Sequence, residues 1–412
     1  MDYLKIDEVA AQWGISPRRL QTLCAQGKIQ GATRFGRAWM IPKSTPKPAD
    51  GRTKAARDEK LTADMPMPRK TPFLHLTNLY HTPGCAEKAV EALGNNYEAQ
   101  LLLGAEIAYS RGQIDKVYDS ANYLLEKHSG FYAVLSAGML LAQCAIWRGD
   151  LHMWRKAKIH IAEANAKDDR EREIITLAIC AVDSMLYNVK DFPEWFKIGC
   201  FEMLHRDSLP AAKVYYAKYL YATGHGLASK TIELEGISGL ALMGLLPATI
   251  EPMISQAMAD NTVIAEIYLR LTCAVTYHFT KNTAQAIRHI DRAIALALPD
   301  KLYGILAEYC RTIGSLLEQR LKPVDEQAWE EVSVLFKRYV ENWSKLGSQI
   351  TGRQVIANLS KQQREVARLA AFKLSDAEIG ARLHMSVSGV KQAIRTIKQK
   401  SGLERDDFAA IL

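Results

Sequence analysis

At 412 residues the chain is too long for one hydrophobic core and long enough for two to four folding units. Its hydrophobic share of 48% is ordinary for globular protein, so most of the chain is expected to fold. The formal charge of +8 is unevenly spread: residues 1–70 carry 14 Lys/Arg against 7 Asp/Glu, residues 353–412 carry 11 against 6, and the segment between is mildly acidic. Basic ends around an acidic middle suit a polyanion held at both ends.

Residues 3–43 begin with a helix expected around Asp7–Trp13. Gly14 turns it, Ser16 caps a second helix, and Pro17 takes the first helical position, where no N–H is needed. Arg18, Arg19, Gln21 and Thr22 open the second helix, with Leu20 and Leu23 facing the core. The stretch "GATRFGRAWMIP" reads as strand, a turn at Gly36, and strand, with Arg34 and Arg37 at the tip. This order of cap, turn and basic wing resembles the excisionase/MerR-like winged helix. The resemblance implies a second helix in the major groove and a wing on the phosphates or in the minor groove. Its expected DNA contacts are Arg18, Arg19, Gln21, Thr22, Arg34 and Arg37.

Residues 44–72, rich in proline, charge and small side chains, read as a flexible linker. Residues 73–350 carry helical periodicity almost throughout. Residues 97–127 read as helix, a tight turn at Arg111-Gly112-Gln113, and helix; residues 132–164 repeat the plan. Gly112 and Gly149 end the first helices 37 residues apart, and residues 265–297 have the same shape with Asn282 at the turn. Gly104 and Gly138 fall mid-helix, where a small residue admits a neighbouring helix. Helix pairs at this period resemble tetratricopeptide repeats, which implies an α-solenoid. The longest uncharged run, near residues 131–147, is short for a membrane span and reads as a buried helix.

The middle shows no chemistry. It has no phosphate-cradling G-x-x-x-x-G-K-[ST] loop, no G-x-S-x-G and no H-E-x-x-H. His152, His160 and His289 fall on helical patterns and read as ordinary helix residues rather than ligands. The tyrosines of "VYYAKYLYATGHG" (214–226) occupy more than one helix face and read as packing. The seven cysteines are scattered without metal-ligand spacing, as free thiols in a reducing compartment would be. The N-terminus, "MDYLKIDEVA", lacks an apolar h-region. These features together predict a cytoplasmic protein that is not an enzyme, with no cofactor, no metal and no membrane association.

In the last segment, Val366, Leu369 and Ala370 form an apolar stripe, and Ser375-x-x-Glu378 is a capping box. It opens a short helix with Ile379 and Leu383 inward. The chain turns at His384-Met385, and Ser386 caps a third helix whose Val390, Ile394 and Ile397 face in. The opposite face carries Lys391, Gln392, Arg395 and Lys398. Leu359, Ser360, Arg364, Glu365, Val366, Leu374, Ser375, Glu378, Ile379, Leu383, Ser386, Val390, Lys391, Lys400 and Gly402 follow one register. In that register the segment resembles the LuxR/GerE-type helix-turn-helix. It departs from the family at Gly389, usually threonine, at Ala393, often histidine, and at Asp406, near a usual arginine. The resemblance implies a four-helix unit that contacts DNA through Ser386, Ser388, Lys391, Gln392, Arg395 and Lys398.

The fold expected is therefore mainly α: a winged helix-turn-helix over 1–43, a linker over 44–72, a tetratricopeptide-like body over 73–350, and a LuxR-type helix-turn-helix over 353–412. The function expected is a bacterial, sequence-specific, DNA-binding transcriptional regulator. Its partners would be double-stranded DNA, RNA polymerase, a second copy of the chain, and a small-molecule, peptide or protein effector at the body. The alternatives are a recombination-accessory or architectural DNA-binding protein, which would bend DNA without acting on transcription, and a peptide-binding scaffold.

Overall fold

The computed structural model describes residues 3–26, 29, 31–36, 38–43, 45–47, 79–127, 129–189, 191–228, 239–352, 359–401, 403–406 and 408. Arg37, Gly402 and residues 48–72 of the expected linker lie outside them, as does most of the stretch where a fourth C-terminal helix is expected. The described residues form two compact units, before and after residues 48–78.

The first unit is β1 (Tyr3–Lys5), α1 (Ile6–Trp13), α2 (Pro17–Ala25), β2 (Thr33–Phe35) and β3 (Ala38–Pro42), with antiparallel strand order β1-β3-β2. Strand β1 is an addition to the sequence reading; three residues are too few to show a period. Ile6, Val9, Leu20, Cys24, Ile29 and Ile41 make its small core. Lys47 belongs to this unit rather than to a linker, because its Nζ donates to the Trp13 carbonyl at the end of α1 at 2.5 Å.

The second unit is helical. Its body comprises α3 (Ala86–Glu91), α4 (Tyr97–Arg111), α5 (Ile114–Glu126), α6 (Phe131–Arg148), α7 (Leu151–Ala162), α8 (Asp169–Ser184), α9 (Glu194–Lys197), α10 (Leu209–Ala228), α11 (Gly239–Ala259), α12 (Val263–Phe279), α13 (Thr283–Ala297), α14 (Tyr303–Leu321) and α15 (Glu326–Thr351). Local chemistry sets many of the ends. Asn96, Asp150, Asp168, Asn282 and Asp325 each accept a hydrogen bond from a first-turn N–H. Gly112 and Gly149 end α4 and α6 at positive φ, as a left-handed cap requires. At the α12–α13 turn the left-handed residue is Lys281, and Asn282 is the cap.

Helix α6 is long and apolar enough to cross a membrane, but 78% of it is buried inside the body. A β-carbon on Gly138 would meet Ile161 at 2.8 Å, so this position does admit a neighbouring helix. Gly104 does not: nothing lies within 4 Å of the same construction.

The helix pairs do not form an open stack in which each touches its neighbours alone. The last two helices return to the first: α14 packs on α4, and α15 packs on α6. Leu335 of α15 sits against Gly112, Asn342 Nδ2 donates to the Trp147 carbonyl at 2.7 Å, and Trp343 Nε1 donates to the Met185 carbonyl at 2.8 Å. Those carbonyls lie at helix C-termini, where the helix itself offers no partner. One 26-residue helix therefore closes the ends of α4, α6 and α8.

Three further helices follow: α16 (Lys361–Ala371), α17 (Asp376–Leu383) and α18 (Val387–Ser401). They have a core of their own, including Leu359, Val366, Ile379, Val390, Ile397 and Phe408. They also rest on the body. The Phe372 ring meets Phe279 edge-on at 5.1 Å, Arg368 lies 5.0 Å over the same Phe279, and Arg364 lies 5.7 Å over Phe336.

His278 is at this seam, with its Nε2 buried and lacking a hydrogen-bond partner among the described residues. Burial, then the Arg368 charge, push its pKa down to about 4, against a smaller opposing pull from Glu365. The unfolded chain therefore takes up a proton between about pH 6.5 and 4 that the folded chain refuses, and stability falls as pH falls through that window. His278→Gln is expected to remove roughly 2–3 kcal/mol of this acid destabilisation. Urea unfolding of both proteins at neutral and acid pH measures it; parallel pH profiles would refute it.

Candidate nucleic-acid interface

In the first unit, α1 ends where Gly14 enters the left-handed region at φ +62°, and the Ile15 N–H reaches back to the Ala10 carbonyl at 3.0 Å. The Ser16 hydroxyl accepts from the Arg19 N–H at 3.3 Å, which starts α2 in a new direction. Leu20 and Cys24 are buried, so Arg18, Arg19, Gln21 and Thr22 are all exposed. The Thr22 hydroxyl already donates to the Arg18 carbonyl at 3.0 Å, leaving its oxygen lone pairs, the Gln21 amide and the two arginines as the outward chemistry. On the wing, Arg34 is exposed and lies 5.8 Å over the Trp39 ring, opposite it in register. Phe35 at the tip is 82% exposed. Sequence reasoning passed over Phe35, although an aromatic between two arginines beside a glycine turn was a visible signal.

In the C-terminal helices, the Ser375 hydroxyl accepts from the Glu378 N–H at 3.3 Å, and the Glu378 carboxylate accepts from the Ser375 N–H at 2.8 Å. The bond from the Ser375 N–H, with a second from the Ser375 hydroxyl to the same carboxylate at 2.9 Å, holds the Glu378 carboxyl below its usual range. The turn after α17 places His384 in the left-handed region at φ +51°. Gly380 lets it close: a β-carbon there would stand 2.6 Å from the Met385 carbonyl oxygen. Ser386 then accepts from the Gly389 N–H at 3.1 Å. Val390, Ile394 and Ile397 are buried, and Lys391, Gln392 and Arg395 are exposed on the far side of α18.

Two of the expected contact residues already have partners within the chain. Lys398 is only partly exposed and is ion-paired with Glu404, so its charge is partly compensated. The Ser386 hydroxyl is committed to the helix cap and shares a 3.0 Å hydrogen bond with the exposed Ser388. Asp406, the unusual acid of this segment, is ion-paired with Lys373.

Among the described residues, one group could hold a metal ion: Glu251, Cys273 and His289. His289 Nε2 lies 3.7 Å from both Cys273 Sγ and Glu251 Oε1. Burial pushes the Cys273 thiol up to about 12. The Tyr277 hydroxyl donates to Glu251 at 2.5 Å, and the buried His289 Nδ1 has no hydrogen-bond partner among the described residues. His289 is thus a buried residue of this corner.

Residues 3–45 match a family model described as a helix-turn-helix domain. Neither the curated proteins nor the solved structures give a match. The protein thus carries a helix-turn-helix domain at its N-terminus, consistent with DNA binding, within a mainly helical chain.

Proposed function

We propose that this protein is a sequence-specific DNA-binding transcriptional regulator with two DNA-reading ends, and that its helical body senses an effector or joins two copies. One observation carries the reading. Each end holds a helix, a tight left-handed turn and a capped second helix, and both second helices expose cations opposite a buried stripe. At the N-terminus the family match supports it. At the C-terminus it rests on the LuxR-type resemblance and on α18. RNA polymerase and a second copy of the chain follow from the function proposed, as does a bacterial cytoplasm.

Two linked readers raise affinity only when both engage one duplex. Alanine at both Arg18 and Arg19 is therefore expected to shorten the footprint of the intact protein and weaken its binding about tenfold or more. A footprint and affinity unchanged by this variant, and by removal of residues 1–72, would leave a single reader.

A second reading, an architectural DNA-binding protein, is favoured by Phe35 alone. An exposed aromatic on a basic wing tip can wedge between base steps and bend the duplex. Bending without any effect on transcription would select it.

A further inference from the structure

The helical body holds a cavity of about 60 Å³ between the end of α8 and helices α10, α12, α14 and α15. Three charged side chains line it: Lys218, Glu308 and Arg311. Glu308 is fully engaged. Its Oε1 accepts from the Tyr109 hydroxyl at 2.5 Å and the Tyr268 hydroxyl at 3.2 Å, and its Oε2 is 3.4 Å from Lys218 Nζ. Arg311 is different. Its guanidinium stacks 4.2 Å over Trp343, and its Nη1 is buried with no hydrogen-bond partner among the described residues. A buried guanidinium N–H left unpaired is costly, and among the described lining residues the cations exceed the anions by one. Tyr221 and Tyr339 complete the wall.

We infer that this cavity is an effector site for a small monocarboxylate, whose carboxylate pairs with Arg311 and whose carbon chain packs against Tyr221 and Tyr339. One negative charge matches that excess, and a planar carboxylate matches the guanidinium fork. The small volume favours a short-chain acid.

An effect of the acid on DNA binding rests on the DNA-binding reading proposed above; the binding itself does not. By linkage, any change the acid makes in DNA affinity must appear equally as a change DNA makes in affinity for the acid.

The test is calorimetric titration of the full chain, without DNA, with acetate, propionate, pyruvate, acetamide and inorganic phosphate. Saturable one-to-one binding of at least one carboxylate is expected, with none for acetamide. Arg311→Gln should lose about ten- to a hundredfold in affinity, and Arg311→Lys, which keeps the charge without the fork, should fall between. Quenching of Trp343 fluorescence, compared with Trp343→Phe, gives a readout independent of heat, and unchanged thermal melts confirm that the variants fold. Absence of saturable carboxylate binding, equal binding by Arg311→Gln, or phosphate binding without carboxylate binding would each overturn the assignment. Carboxylate binding that leaves DNA affinity unchanged would keep the site and overturn its role as an effector site.

Discussion

Replacing Lys391 and Arg395 together with alanine is expected to weaken binding of the intact protein to its preferred duplex by about 2–6 kcal/mol, from about 1–3 kcal/mol for each base-edge contact. The two residues stand one turn apart on α18, exposed, with Val390, Ile394 and Ile397 buried on the other side. Neither has a partner in the core to lose, so folding should be unchanged. Lys398→Ala is the internal comparison. Its charge is already paired with Glu404, so its loss should cost less than either of the others. Titrations over a range of salt separate two mechanisms. A lost base contact relaxes the preference at one position, whereas a lost phosphate contact lowers the salt slope by about one for all sequences. Normal binding by the double variant at moderate salt would show that α18 does not read DNA.

The second large effect concerns stability. Gly304→Val is expected to destabilise the body by about 3 kcal/mol, at the upper end of overpacking costs. Gly304 opens α14 against the end of α4. A β-carbon there would stand 2.6 Å from the Gly112 nitrogen, 2.7 Å from the Tyr109 carbonyl oxygen and 2.9 Å from that of Ser110. These are backbone atoms and cannot swing away. The same junction is tied by buried Asp300. Its carboxylate accepts from Tyr80, from the Gly84 N–H at 2.6 Å and from the Ala86 N–H at 3.2 Å, while its carbonyl accepts from Arg111 Nε at 2.8 Å. Separating α14 from α4 would strain this hub as well. Gly104→Ala supplies the opposite sign. With open space around it and a helical backbone, alanine should stabilise by about 0.5–1 kcal/mol. Denaturant midpoints for the two variants decide both; equal midpoints would mean that the return of α14 onto α4 contributes little.

What could be read from the sequence was chemistry that closes within a few residues. Ser16 and Arg19, Ser375 and Glu378, and Asn282 and Gln285 are three apart, and such caps form wherever the local chain allows. The glycines that end α4 and α6 were legible through the left-handed cap alone. The buried stripe of α18 followed from helical period alone, and with it the outward cations. The tertiary structure decided the rest, because period says which face is buried but not which partner buries it. Gly104 and Gly138 looked alike, and only one meets a helix. Asp300 reaches residues more than 200 positions away. The tyrosine-rich stretch read as packing does pack through Tyr216 and Tyr219, yet Lys218 and Tyr221 turn toward the cavity. That cavity draws its lining from five helices far apart in the chain, so no spacing announces it. Burial among distant helices leaves Glu308 satisfied and the Nη1 of Arg311 without a partner among the described residues.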